Sequence, residues 1–418
     1  MARIVQSYTV FIIEWCLLSG SFRLQLIGAR RLAWLVAANT ALAPLAIDAY
    51  LPAIPALAEH VGASVHHTEL SISIFLLGFA LGQLLFGPLS DRVGRKPVLL
   101  GGITTFMLAS LAITQIDNLH MLWLLRFIQA LGGGACVVNS PAIVRDCFQG
   151  REAAKVLSTM VLILMLAPLA APSIGSVLLA LGGWWLIFAF LGGYAALLLW
   201  LVVTQLPETR TKEKNPPGVR QVLRNYASVL KHREAMGYIA AVAFSFAGLF
   251  AFVTSSPYVY ISYYEVSPSV YPFLFGANII VMAASNRLNI RLLGKYSPQR
   301  LLRFGLGVQL MAGIALVLVI AVGLDTVPVM VVLIMMFVGV GGLITPNAVS
   351  AMLDHFPNMS ATANAVLGSL QFTTGGLVGF LVSGFEIPSV WPMVVGMLGA
   401  SVLANVLVRA LTSKVTAS

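Results

Sequence analysis

Apolar residues run through this chain in long stretches, separated by short polar punctuation. The stretches lie near 33–57, 69–88, 98–116, 119–142, 156–180, 184–204, 237–260, 271–291, 301–323, 327–350, 361–384 and 388–410. A helix that crosses a bilayer needs roughly 20 apolar residues. The runs are continuous rather than alternating, which excludes a membrane barrel, and helices satisfy their own backbone in lipid. The pattern predicts an all-α integral membrane protein with twelve transmembrane helices.

The polar segments organise the spans. The longest, residues 207–234, divides them into two sets of six, with Pro216, Pro217 and Gly218 breaking it. Residues 219–232 read as a short basic amphipathic helix on the inner surface. The expected map is an amino-terminal arm (1–32), a six-helix bundle (33–206), a linker (207–236), a second six-helix bundle (237–410) and a tail (411–418). The arm holds an apolar run at 8–18 that is too short to span and is interrupted by Glu14. It lacks the core and cleavage site of a signal peptide and reads as a membrane-surface arm or as a start placed too early. Of the 25 Lys and Arg, all but Arg126 fall in the arm, the tail, or the loops and helix ends of one side. Cytoplasmic loops carry such an excess, so both termini are expected in the cytoplasm.

Only 10% of residues are charged against 59% hydrophobic, whereas soluble domains carry about 25% charged. The net charge of +10 does not point to nucleic acid, because it sits where the bilayer orients it. Three cysteines, Cys16, Cys136 and Cys147, show neither disulfide nor metal spacing.

On this map Asp48 is the one carboxylate well inside a span and Arg126 the one base. Ionisable groups at the bilayer centre cost about 2.5–3.5 kcal/mol on insertion scales, and they mark functional positions. A carboxylate exchanges protons and an arginine does not. Asp48 is therefore the expected proton site and Arg126 its fixed counter-charge; a static ion pair between the first and fourth spans is the plainer alternative.

Residues 87–97, Gly-Pro-Leu-Ser-Asp-Arg-Val-Gly-Arg-Lys-Pro, form a tight cationic turn between the second and third spans. Gly87, Leu89, Asp91, Arg92, Gly94, Arg95 and Lys96 match the G-x-L-x-D-R-x-G-R-K signature of major facilitator transporters, which the chain resembles. A degraded echo, Gly294 to Arg300, follows the eighth span without the acid. Ile47 to Pro55 resembles the first helix of the bicyclomycin and chloramphenicol resistance (Bcr/CflA) group. Arg126 to Gly132 resembles its helix-4 motif, with Ala130 in a usual Gly place, and Arg145-Asp146 ends that helix. Ala167 to Gly175 resembles the antiporter motif, with Ala171 for its usual Gly, and Pro207-Glu208-Thr209 closes the sixth span. Further matches are Phe244 to Gly248 and Leu353 to Pro357.

The resemblance implies the major facilitator fold and proton-driven export of small antibacterials, of bicyclomycin, chloramphenicol or sulfonamide type, from a bacterial inner membrane. The partners it implies are drug, protons and lipid bilayer, with no cofactor, no nucleic acid and a monomeric state. A carrier of one metabolite on the same scaffold is the alternative. Some related exporters carry a second carboxylate before the one matching Asp48; here Asn39 and Thr40 occupy that neighbourhood. A single cavity acid favours neutral or zwitterionic cargo over dications.

Further expectations concern the gate and the cavity. Asp91 is placed to cap the eleventh span across the seam, and Arg95 to pair with Asp146. Pro168 and Pro172 bend the fifth span, while Ala171 and Gly175 admit a neighbour. Candidate cargo contacts are Tyr50, Phe75, Asn139, Met165, Phe244, Phe246, Tyr258, Asn278, Asn347 and Gln371, since such cavities are mostly apolar with a few polar groups. His60, His66 and His67 cluster in the first outer loop with no acid or thiol spaced for a metal. The glycine run 132–134 is read as packing. No nucleophile–base pair or metal motif appears, so the chain is not expected to be an enzyme.

Overall fold

The computed structural model describes residues 29–148, 150–209, 218–357, 359–384 and 387–412. Residues 1–28 of the expected arm, the Pro216-Pro217 break and the tail beyond 412 lie outside the described residues, and residues 29–32 already belong to the first helix. Among those residues there is no strand. The long helices are α1 (Arg31–His60), α2 (Val65–Val93), α3 (Arg95–Ile113), α4 (Leu119–Cys147), α5 (Gly150–Gly182), α6 (Trp184–Gln205), α7 (Arg233–Tyr263), α8 (Tyr271–Leu292), α9 (Pro298–Ala321), α10 (Val327–Leu353), α11 (Ser360–Ser383) and α12 (Trp391–Leu411). Eleven of these are long and apolar enough to cross a membrane; in α5 the apolar part is Leu166–Gly182. A separate linker helix, Val219–Lys231, buries Val229 and leaves Leu223, Leu230, Arg220 and Arg224 exposed.

Local chemistry sets the helix ends. Ser64, Asn118 and Ser297 each accept an amide hydrogen bond at the start of α2, α4 and α9, the side-chain cap that a helix amino terminus favours. Ser64 moves the start of α2 to Val65, four residues before the expected 69. His66, His67 and Glu69 are therefore helical rather than loop or boundary residues. Within α1, Pro52 and Pro55 remove amides from the ladder. The α-helix stops at Asp48, a 3-10 turn covers Leu51–Ala53, and a second α segment begins at Ile54.

Glycines let the helices touch backbone to backbone. A Cβ on Gly78 or Gly82 of α2 would press on the carbonyls of Phe127 or Leu131 in α4, and one on Gly132 would meet Gly102 of α3. The glycine run is thus packing, as its place in the sequence suggested. α2 lies along α11, where Gly376 meets the Ser73 carbonyl and Gly379 meets the Ser73 and Thr254 hydroxyls. α5 meets α8 through Leu169 against Gly276. These two contacts join the helices before the linker to those after it.

Candidate functional site

A cavity of about 460 Å³ opens between the two sets of helices. Its wall is apolar, with Pro44 and Ile47 of α1, Pro168 of α5, Leu249 and Val253 of α7, Phe275 and Met282 of α8 and Val338 of α10. Phe79, Phe246, Phe250 and Phe372 line one side in a continuous aromatic cluster, with ring centroids 4.6–5.0 Å apart. Thr40, Ser245, Gln309, Thr345 and Gln371 supply neutral polar groups, and Asp48 is the one charged residue in the lining.

Asp48 does not pair with Arg126. Among the described residues no ion pair is formed by either, which corrects the expected counter-charge. The reason is helical geometry. Arg126 Nη1 donates to the Ala46 carbonyl at 3.0 Å and to Gln129 Oε1 at 2.7 Å. Residues two apart on a helix point about 200° apart, so the face of α1 that meets Arg126 is opposite the face that carries Asp48 to the cavity. Arg126 is fully buried, with its guanidinium 4.4 Å from the Phe75 ring centroid and 4.9 Å from that of Tyr50. The cation rests on aromatic quadrupoles and a hydrogen-bond chain. Gln129 Nε2 donates to Ser110 Oγ at 2.8 Å, and Ser110 to the Phe106 carbonyl. Arg126 thus ties α4 to α1 and α3.

Of the ten candidate cargo contacts, Phe246 and Gln371 line the cavity. Seven of the others are placed elsewhere. Tyr50 and Phe75 sandwich Arg126. Asn139 and Asn278 turn their Nδ2 back onto carbonyls of their own helices, a local bond open to an amide side chain in an apolar setting. Asn347 bonds Asn289 at 2.7 Å, joining α10 to α8. Phe244 packs in a separate apolar cluster, and Tyr258 sits at the far end of α7. The side chain of Met165 lies outside the described residues.

Residues 87–97 hold a charge cluster at the junction of α2 and α3, where the expected turn narrows to Gly94 because α2 runs on to Val93. Gly94 adopts φ 116° and ψ 156°, a region essentially reserved for glycine. Arg95 Nη1 bonds Asp91 at 2.8 Å and Ser90 at 2.7 Å, and its Nε meets Asp146 at 3.1 Å. Glu208 accepts the Arg95 and Lys96 amides at 2.9 and 3.1 Å, so the close of α6 caps the start of α3. Lys96 Nζ donates to the Val203 carbonyl. Asp91 lies near the linker helix, where burial and then its charge push the Tyr226 hydroxyl up. Arg92 and Arg145 lie exposed at the same end. In α5, Pro168 reaches the cavity, while Ala171, Pro172 and Gly175 are buried. A Cβ on Gly175 would overlap the Ala49 carbonyl, so α5 sits directly on the break in α1.

Sequence reasoning missed one buried acid. Glu69 is completely buried. His66 Nδ1 lies 3.5 Å from its Oε2, an acid partner that the histidine cluster was read as lacking. Among the described residues no group of His, Cys, Asp and Glu is arranged to hold a metal. The signal that locates Glu69 is Ser64, a cap that pulls the helix start forward and puts an acid in its first turns.

Many packed apolar helices around a central cavity with one charge define a multi-pass membrane transporter, not an enzyme. A family model described as Major Facilitator Superfamily matches residues 36–381, and the chain belongs to that family. It is 36% identical to a bicyclomycin resistance protein homolog of Haemophilus influenzae, over 88% of this chain and 92% of that one. It is 31% identical to a chloramphenicol resistance protein of Pseudomonas aeruginosa, over 85% and 84%. A multidrug transporter MdfA of Yersinia pestis matches at 31% over 63% of this chain and 64% of its own. Among solved structures, a D-xylose-proton symporter superposes with a TM-score of 0.70 at 15% identity, over 92% of this chain and 98% of that one. That likeness shows the fold.

Proposed function

We propose that the protein is a proton-coupled efflux antiporter for small antibacterials, with twelve spans, both termini cytoplasmic, working as a monomer in a bacterial inner membrane without a cofactor. The observation that carries this is Asp48, the one acid among the described residues lining a mostly apolar cavity of drug-sized volume. Pockets of this kind hold small molecules through apolar walls and a few polar groups. The names of the bicyclomycin and chloramphenicol resistance relatives support the cargo class.

In this reading the ends of the helices that carry Gly94, the linker helix and Thr412 face the cytoplasm. The opposite ends are drawn together. Ser176 Oγ of α5 donates to the Pro268 carbonyl beyond α7 at 2.8 Å, and Glu69 of α2 accepts the Tyr258 amide of α7 at 3.0 Å. The state is outer-closed. Drug enters from the cytoplasm as Asp48 releases its proton there. The two bundles rock about the central site, drug leaves outward, and Asp48 takes a proton from outside before the return. Each inward charge brings about 2.3 kcal/mol per 100 mV. Phe246 and Gln371 are the proposed cargo contacts from the first set of candidates, joined by Thr40, Ser245, Phe250 and Met282. Arg126 is proposed to hold the bend of α1 rather than to neutralise Asp48. The 87–97 cluster and the buried α5 residues are proposed to control the inner gate and the seal.

The test is proton release from purified protein in proteoliposomes on adding chloramphenicol, bicyclomycin or a sulfonamide, with Asp48→Asn alongside. Release by the parent and none by the variant is expected. Concentrative efflux by Asp48→Asn would refute the coupling role of this acid.

A further inference from the structure

We propose that Glu69 is a second proton-binding site, outside the cargo cavity, which takes a proton from the outer water as the two bundles close at that end and returns it as they open. This rests on the alternating-access reading above. The proton added on closing, turning –COO⁻ into –COOH, is the one lost on opening. No net proton crosses the membrane at Glu69.

The argument starts from what surrounds the carboxyl. Glu69 stands in the first turns of α2, with no exposed surface. Its Oε1 accepts the Tyr258 amide at 3.0 Å. Tyr258 is the second residue of a π-helical stretch, Pro257–Tyr263, that ends α7. Such one-turn departures from the α ladder recur at functional sites. The acid therefore holds a backbone donor from the opposite bundle. Oε2 has no hydrogen-bond partner, and His66 Nδ1 lies 3.5 Å from it. The His66 and Tyr258 rings lie against each other at a tilt of 43°, with centroids 4.2 Å apart, and form a roof beside the carboxyl.

Among the described residues, tyrosine hydroxyls also feel the Glu69 charge. Tyr50 of α1 lies within the electrostatic reach of both Glu69 and Arg126. Tyr271 of α8 lies within reach of both Glu69 and Asp48. Tyr258 of α7 senses Glu69 and Tyr263. Among the described residues no lysine or arginine forms an ion pair with Glu69. One amide and a weakly placed imidazole are a poor substitute for water around a carboxylate, and a buried charge so weakly compensated takes up a proton instead. Separating α7 from α2 removes the amide and the roof together and wets the acid. The closed form thus binds one proton more tightly than the open form. Closure is favoured at low outer pH and opening gains as outer pH rises, by at most about tenfold per pH unit for one proton. An acid outer compartment would in this way favour the return of the emptied carrier.

The test is a distance measured across the outer end. Spin labels are placed at Gln115→Cys, between α3 and α4, and at Ser269→Cys, beyond α7, in a chain whose native cysteines are Ser, in lipid nanodiscs between about pH 5.5 and 8.5. In the parent, the population with the longer distance should grow with pH. Glu69→Gln, which keeps an acceptor for the Tyr258 amide and cannot ionise, should hold the short distance throughout. Glu69→Ala should raise the long-distance population at every pH. His66→Asn should leave the pH response in place. Every labelled chain also carries Asp48→Asn, because the cavity acid takes up a proton before the return and would add a pH dependence of its own. A labelled parent with no pH response, a Glu69→Gln variant that titrates like that parent, or loss of the response in His66→Asn would each overturn the proposal. If the distances behave as expected and no antibacterial releases protons, the efflux reading fails and the Glu69 site stands.

Discussion

At the scale of single residues, the two intramembrane charges separate into different jobs. Asp48 faces the cavity and Arg126 faces the break in its own bundle, where three aromatic rings and the Ala46 carbonyl hold it. Arg126→Lys keeps the charge but loses the planar guanidinium that lies against the Phe75 and Tyr50 rings and carries Nη1 to both Ala46 and Gln129. A buried cation left without its bonds costs about 3–5 kcal/mol. We expect a large fall in thermal stability and in transport for Arg126→Lys, whereas Asp48→Asn loses coupling and keeps its stability. Thermal unfolding in detergent beside a transport assay measures both. A Lys variant as stable as the parent would contradict this role. Both residues were legible from the sequence as rare charges in apolar runs. Their lack of pairing was not, because spacing along a chain does not say which face of a kinked helix meets which neighbour. Only the offset between Ala46 and Asp48 carried that information. The cargo contacts were the least legible: intramembrane amides such as Asn139 and Asn278 can satisfy themselves one turn back, so polarity did not mark the cavity.

At the scale of elements, short contacts between backbones decide what each helix can do. The boundaries of most spans could be read from apolar runs; the start of α2 could not, because His-His-Thr-Glu looks like a loop until the Ser64 cap is taken into account. Gly94 combines a glycine-only backbone with a Glu208 carboxylate packed against its α-carbon. Gly94→Ala is expected to destabilise the turn by about 1–3 kcal/mol, seen as a lower melting temperature. Glu208→Ala removes the acceptor for the first two amides of α3, a loss of about 0.5–2 kcal/mol by the scale of helix caps. The α5–α1 contact is stricter. A Cβ at Gly175 has nowhere to go but the Ala49 carbonyl, so Gly175→Ala forces the two helices apart. Its expected signature is a proton leak across proteoliposomes without drug. Tight membranes with full transport would show that the contact yields harmlessly.

At the scale of the whole molecule, the seams are unequal. α2 and α11 run together through Gly368, Gly376 and Gly379, and α5 meets α8. At the end read as outer, Ser176 and Glu69 add hydrogen bonds across the seam. At the other end Arg95 is held by Asp91, Ser90 and Asp146 of the first bundle, and Asp91 lies beside the linker helix. Rocking toward the outer-open state must therefore break contacts at one end and make new ones at the other. A reversible tether tests this directly. Ser176→Cys and Pro268→Cys, joined by a short cleavable thiol cross-linker, would hold the outer end shut. Efflux should stop on tethering and return on reduction, while the tethered protein still binds drug from the cytoplasmic side, because the cavity is already formed in this state. Continued efflux through the tethered protein would mean that cargo leaves by a path other than separation of α5 from the segment after α7, and the rigid-body account of this transporter would have to be abandoned.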